Sequence, residues 1–199
     1  MEFTGKTVLL TGSTGGIGHA IARRLRRAGA TLTLTGRRAE VLAPLARELD
    51  ATALTVDLGD PAAVAQLIAD AGDVDVVVAN AALPAAGLLT SFSTEDIDQA
   101  LQVNLRAPIV MARHYAEAFR AKRAGHLLFI SSISGKVGTP HSSMYSATKF
   151  RPGAARRTRH RRRRRLRGLS RLRARCRDVR RLRHRAAQGR RHQQPGERR

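Results

Sequence analysis

The sequence of 199 residues holds a single cysteine, Cys176, so no disulfide can close within the chain, and such usage fits a reducing compartment. No apolar run approaches the roughly 18 residues needed to span a bilayer, and the opening Met1-Glu2-Phe3-Thr4 has no basic region leading into an apolar one. These absences lead to the expectation of a soluble, cytoplasmic protein with no membrane partner. Residues 151–199 contain no Lys, Ile, Asn, Phe or Tyr, and their only acidic residues are Asp178 and Glu197. What that segment has instead is 22 arginines, whereas residues 1–150 balance 15 Lys+Arg against 13 Asp+Glu. The formal net charge of +22 is therefore almost entirely local, and two compositions meet near Phe150. Residues 1–150 are long enough for one domain with a sizeable core; residues 151–199 are expected to be a disordered or loosely helical tail.

The first segment opens on an apolar run, Val8-Leu9-Leu10, that stops in Thr11-Gly12-Ser13-Thr14-Gly15-Gly16-Ile17-Gly18 before a helical pattern begins. A strand that ends in glycines and restarts as a helix presents unpaired N–H groups at the positive end of the helix dipole, which suits a phosphate. Gly12 permits the tight turn, Gly16 keeps side chains off the pyrophosphate and Gly18 allows close packing, the division of labour of a dinucleotide site. A glycine cluster alone is equally a plain tight turn. Its place at the end of the first strand, in a chain that alternates strand and helix, favours the cofactor reading and makes Gly12, Ser13, Thr14, Gly16, Ile17 and Gly18 cofactor candidates. The helix that follows is expected to bury Ile17, Ile21, Leu25 and Ala28 and to turn Arg23, Arg24, Arg26 and Arg27 to water.

A second strand over 31–35 stops at Gly36-Arg37-Arg38. The end of this strand is where a dinucleotide fold meets the adenosine ribose, through a carboxylate for a 2′-hydroxyl or an arginine for a 2′-phosphate. With glycine at the carboxylate position and Arg37 beside it, NADP(H) is expected over NAD(H), although two arginines also suit a solvated helix start. A helix carrying Val41, Leu42, Leu45 and Leu49 leads to a strand at 53–56 that ends in Asp57 and Leu58; Asp57 suits either an adenine amino group or a turn before Pro61. After a helix over 62–71, the strand at 74–78 ends at Asn80-Ala81-Ala82, the third strand end to converge on one edge.

From 94 to 123 the pattern is helical, with Thr94 as the expected cap and Glu95 and Asp96 in the first turn. Pro108 cannot donate to the Asn104 carbonyl, so a kink is expected there, with Asn104 either an ordinary surface residue or the holder of a water. A fifth strand at 126–130 ends at Ser131-Ser132. Tyr145 and Lys149 then stand at i and i+4 of a helix, which puts the ammonium beside the phenol and lowers a reference pKa of about 10 towards the range of a usable acid and base.

Together these residues resemble the short-chain dehydrogenase/reductase family over about residues 6–150: Thr11-Gly12-x-x-x-Gly16-Ile17-Gly18, Asn104, Ser132 and Tyr145-x-x-x-Lys149 fall in its order and spacing. The resemblance implies a Rossmann-like, doubly wound parallel α/β sheet and NAD(P)-dependent oxidation of an alcohol or reduction of a carbonyl. It also implies that Tyr145 exchanges the proton, that Lys149 lowers its pKa and holds the nicotinamide ribose, that Ser132 binds the substrate oxygen and that Asn104 holds a relay water. Asn80 and Ala81 would line the cofactor, in a segment reading Ala79-Asn80-Ala81-Ala82 where the family has Asn-Asn-Ala-Gly, so the backbone there is expected to be more crowded. A family-type homo-oligomer is also implied. The alternation of strand and helix, with right-handed crossovers, gives five strands in the order 3-2-1-4-5.

Beyond Lys149 the resemblance stops. The family's sixth strand, lid and seventh strand are not found; Arg151-Pro152-Gly153 breaks the helix, and Arg161 to Arg165 cannot be a buried strand. Three readings of the tail stand side by side: a basic arm binding nucleic acid through phosphate charge; an amphipathic arm with Leu166, Leu169, Leu172, Cys176, Val179 and Leu182 at near-helical spacing; and an out-of-frame translation of a GC-rich gene, the preferred account, since the residue set is the one GC-rich codons write. On that account the chain is a truncated member with impaired activity.

Overall fold

The computed structural model describes residues 3–138 and 140–149, within a compact unit that spans Met1–Thr158. The expectations for residues 150–199, including nucleic-acid binding, the frameshift and the loss of activity it entails, lie outside the described residues.

Five short strands, β1 (Thr7–Leu10), β2 (Thr31–Gly36), β3 (Thr52–Thr55), β4 (Val76–Ala79) and β5 (His126–Phe129), form one parallel sheet in the order β3-β2-β1-β4-β5. The register runs Val8 opposite Leu32 on one side and opposite Val76 on the other, with Val76 in turn opposite His126. This is the expected topology. A parallel sheet needs helical crossovers, and those crossovers cover both faces, which is why Val8-Leu9-Leu10 and Val76-Val77-Val78 are unbroken apolar runs rather than alternating ones.

Side-chain alternation along β1 divides the interior. Val8 and Leu10, with Leu32 and Leu34 of β2, point to one layer, where α1 (Gly16–Arg27) and α2 (Ala39–Leu49) contribute Ala22, Leu25, Leu42 and Leu45. Leu9 and Val77 point to the other, closed by Val64 and Leu67 of α3 (Pro61–Ala71) and by Met111, Tyr115 and Phe119 of α5 (Ala107–Lys122). Burying each such Val, Leu, Met or Phe side chain contributes about 1.5–3 kcal/mol.

The structure corrects the sequence reading in two places and gives the form of the break expected at Pro108. On α1 the buried positions are Gly18, Ala22 and Leu25, while Ile17 is 64% exposed, because it lines the open cleft beyond the strand ends instead of facing the core layer. The cap of α4 (Thr94–Leu101) is Ser93, not Thr94: the Ser93 hydroxyl accepts from the Asp96 N–H and the Asp96 carboxylate accepts from the Ser93 N–H, both at 3.1 Å, a reciprocal box. Before Pro108 the chain makes one π-helical turn, Gln102–Arg106, between α4 and α5, with the Ala107 N–H donating to the Gln102 carbonyl. Pro108 has no N–H to continue the ladder, and it follows directly on the wider turn, where the hydrogen-bond register changes.

The strand order reverses at β1, whose neighbours β2 and β4 lead away in opposite directions, so a crevice opens beyond the carboxyl ends of these strands. β5 borders the sheet, and among the described residues its outer side has no strand beside it; Leu128 on it is 51% exposed. No described helix is long and apolar enough to cross a membrane, and the described residues hold no group of three or more metal-ligating side chains.

Candidate active site

A cleft of about 480 Å³ opens where the crevice is expected. Its wall is made by strand ends and the turns that follow them: Gly12 and Thr14 to Gly18 after β1, Thr35 to Arg38 at the end of β2, Val56 to Leu58 after β3, Asn80 to Leu83 after β4 and Ile130 to Ser132 after β5.

The glycine loop is shaped by contact. Gly12 adopts φ +68°, and a Cβ there would lie 2.7 Å from the Ala81 Cα, so both its conformation and its neighbour demand glycine. A Cβ on Gly18 would run into the Gly12 carbonyl, whereas one on Gly16 would meet nothing within 4 Å, since Gly16 faces open cleft. Gly18 thus seats the helix under the loop, and Gly16 leaves room over it. The loop is tied to the fourth strand end: the Thr11 hydroxyl accepts from the N–H groups of Asn80 (3.1 Å) and Ala81 (3.2 Å). The Asn80 amide in turn donates to the carbonyls of Thr11 and Gly12 at 3.1 and 3.0 Å. Ser13 is the loop residue turned away from the cleft. It is fully buried, its hydroxyl donates to the Leu10 carbonyl at 3.0 Å and accepts from the Thr35 N–H at 3.3 Å, and its own N–H donates to the Thr35 carbonyl at 2.8 Å.

At the second strand end Arg37 and Arg38 are exposed on the cleft wall, and neither is paired with a carboxylate among the described residues. Asp57 lines the cleft and also serves as a turn residue, one carboxylate oxygen accepting from the Gly59 N–H at 2.8 Å.

Three further candidates meet at the other end. The Ser132 hydroxyl accepts from the Ser134 N–H at 3.2 Å, which caps a single 3₁₀ turn, Ile133–Gly135. Tyr145 and Lys149 share a face of α6 (Ser143–Lys149): the ammonium stands 5.7 Å from the centre of the phenol ring and donates to the Ile130 carbonyl at 3.1 Å. Lys149 is 4% exposed, and its hydrogen bond to the Ile130 carbonyl offsets part of the cost of burying a cation. A Cβ on Gly135 would strike the Lys149 carbonyl, so that glycine lets the turn after Ser132 press against the end of α6.

Asn104 is fully buried behind the cleft rather than on the surface. Its Oδ1 accepts from the Leu83 N–H at 2.6 Å, and its Nδ2 donates to the Leu83 carbonyl at 2.9 Å and to the Thr148 hydroxyl at 3.1 Å. Thr148 passes the link on by donating to the Tyr145 carbonyl at 2.8 Å. The π-helical turn, the segment after β4 and α6 are thereby locked to one another. Of the residues singled out from sequence, all but Ser13 and Asn104 border the cleft. Sequence reading missed Thr35, Val56, Leu83, Val103, Ile130 and Ser131 as lining residues, although Val56 and Ile130 follow strand ends and could have been found by that placement alone.

A parallel, doubly wound sheet with a glycine-lined crevice at its strand-order reversal is a dinucleotide-binding fold of the Rossmann type. Which one is settled by comparison: the short chain dehydrogenase family profile matches residues 6–158, and the chain belongs to that family. It is 34% identical over 151 residues to a 3-oxoacyl-[acyl-carrier-protein] reductase FabG of Rickettsia conorii, covering 75% of this chain and 63% of that protein. It is likewise 34% identical over 157 residues to Dehydrogenase/reductase SDR family member 7B of Bos taurus, covering 71% of this chain and 48% of that one. Among solved structures, a short-chain dehydrogenase from Sphingobium yanoikuyae in complex with NADPH superposes with a TM-score of 0.70 at 30% identity, over 73% of this chain and 61% of that one. The chain therefore spans about half to two-thirds of the length of these relatives.

Proposed function

We propose that the described domain binds NADP(H) in preference to NAD(H) and is built for hydride exchange between that cofactor and a small carbonyl or alcohol. The observation that carries this reading is the meeting, in one cleft, of the glycine loop with Ser132, Tyr145 and Lys149. The cradle fits the cofactor: Gly16 leaves open space above helix N–H groups for a pyrophosphate, and Arg37 and Arg38 offer cations where a 2′-phosphate would lie. The relatives named as acyl-carrier-protein reductases and the NADPH-bound neighbour point the same way.

When bound, the nicotinamide supplies or accepts the hydride. Asn80 and Ala81 would line its approach, Asp57 and Leu58 would border the adenine end, and Lys149 would hold the ribose. Ser132 hydrogen-bonds the substrate oxygen and holds it beside Tyr145. In the reducing direction the Tyr145 hydroxyl gives its proton to that oxygen as the carbonyl carbon becomes tetrahedral. The Lys149 ammonium, on the same helical face, stabilises the charge left on the phenol oxygen. The main-chain carbonyl of Asn104 would hold a relay water through which the proton is replaced, and the side-chain bonds to Leu83 and Thr148 keep that backbone in position.

The test is a titration of the full chain with NADPH and NADH, followed by turnover of a panel of ketones and aldehydes. NADPH binding at least about tenfold tighter than NADH, with the preference lost in Arg37→Asp, is the expected result. Turnover that disappears in Tyr145→Phe identifies the acid. Equal affinities in the wild type would remove the NADP(H) reading.

A further inference from the structure

The cofactor preference has a second component that the arginines do not explain. We propose that Thr14 is a specificity-determining residue: its side chain fills the space that a carboxylate at position 36 would need, so Thr14 and Gly36 act as one steric unit that excludes recognition of an unphosphorylated ribose. This rests on the NADP(H) reading above.

Gly36 is the buried last residue of β2 and lines the cleft, with Arg37 next to it. A Cβ placed on Gly36 would lie 2.6 Å from the Thr14 Cγ2 and 3.1 Å from the Thr14 Oγ1, so both heavy substituents of the threonine Cβ face it. Rotating Thr14 does not clear the space. Staggered rotamers offer three positions, two of which face residue 36, and threonine fills two of the three with heavy atoms, so every rotamer leaves at least one heavy atom against the new carbon. Nor can the loop withdraw easily. Ser13 ties it to the adjoining residue of β2 through its N–H to the Thr35 carbonyl at 2.8 Å and through its hydroxyl to the Thr35 N–H at 3.3 Å. On the other side the Cα of Ala81 closes against Gly12.

An aspartate introduced at 36 would therefore displace the phosphate-binding loop before it could accept a ribose hydroxyl. Removing the obstruction at 14 is required for the exchange of specificity.

The experiment measures dissociation constants for NADPH and NADH by the fluorescence of the reduced nicotinamide, together with nucleotide-free melting temperatures. The proteins are wild type, Gly36→Asp, Thr14→Ala and the double variant, all as the full chain. Gly36→Asp alone is expected to weaken both nucleotides by about tenfold or more and to lower the melting temperature. Adding Thr14→Ala should restore melting and tighten NADH by about tenfold relative to Gly36→Asp, a non-additivity expected only of residues in contact. If Gly36→Asp by itself binds NADH as well as the double variant does and melts with the wild type, the two positions are independent and the proposal is overturned. If the wild type binds NADH and NADPH alike, the NADP(H) reading fails separately, and the coupling is still read from NADH affinity and melting across the four proteins. Binding of neither nucleotide to the wild type at millimolar concentration would overturn both.

Discussion

Asn104 shows how much one side chain can hold when every polar atom is used. Its amide is fully buried and joins the segment after β4 to α6, which lie on either side of the π-helical turn. Asn104→Asp keeps the shape but turns two donors into an acceptor that faces the Leu83 carbonyl, so a loss of about 2–4 kcal/mol is expected, read as a lower urea midpoint at unchanged slope. Tyr115 is the opposite case. It is 1% exposed between His114 and Phe119, and its hydroxyl has no hydrogen-bond partner among the described residues. Burial, helped by the charge of Asp73, pushes its pKa up to about 12 from 10. A pKa raised in the folded state means that the protonated phenol is favoured there, so the associated stability is complete below about pH 10 and is lost as pH rises through about 12. Tyr115→Phe should accordingly unfold at a higher alkaline pH than wild type, and near neutrality it should be equally stable or more stable by about 1 kcal/mol. An alkaline midpoint that does not move would dissociate Tyr115 from the transition.

At the scale of elements, the capping box predicts a sharp contrast between neighbours. Ser93→Ala removes the acceptor for the Asp96 N–H and should cost about 1 kcal/mol, whereas Thr94→Ala should change stability by only a few tenths, both measured by denaturant unfolding. The same contrast shows where sequence is readable. The five strands and their order in the sheet followed from apolar runs and glycine positions, because the crossover rule leaves few topologies for such a pattern, whereas the single helix read over 94–123 is two helices joined by a π-helical turn. Tyr145 and Lys149 were legible as a pair on one helix face and the glycine loop from its place after the first strand, whereas the role of Ser132 and the grouping of all of them came from the resemblance to the family. Ser93 and Thr94 both carry a capping hydroxyl, and only backbone geometry distinguishes them. Ile17 satisfied the helical period yet faces water, since periodicity reports a stripe and not what covers it. Asn104 could not be placed because its partners, Leu83 and Thr148, are 21 and 44 residues away.

For the whole molecule, nucleotide binding and folding are linked. A cofactor that binds only the folded domain should stabilise it by about 2.7 kcal/mol at a hundred times its dissociation constant, so NADPH is expected to raise the melting temperature more than NADH at equal concentration. The two compositions give a second test at this scale. We propose that residues 1–150 and 151–199 are separable in behaviour, the first carrying nucleotide binding and the second the excess charge. The full chain should retain duplex DNA in low salt and release it steeply as salt rises, and a chain ending at residue 150 should not bind it, as a filter-binding series would show. Retention of DNA by the shortened chain would assign the binding to the domain instead.

The stitching of the glycine loop to Asn80 and Ala81 also imposes an order in time. The loop leaves the ribosome early, but the groups that fix Thr11 and Gly12 are about 70 residues further along. At synthesis rates of about 5–20 residues per second they follow roughly 3–14 s later. Until then the loop has only its bonds to the second strand, through Ser13 and Thr35, and the ties of Thr11 and Gly12 to Asn80 and Ala81 are completed only when the end of the fourth strand has been made.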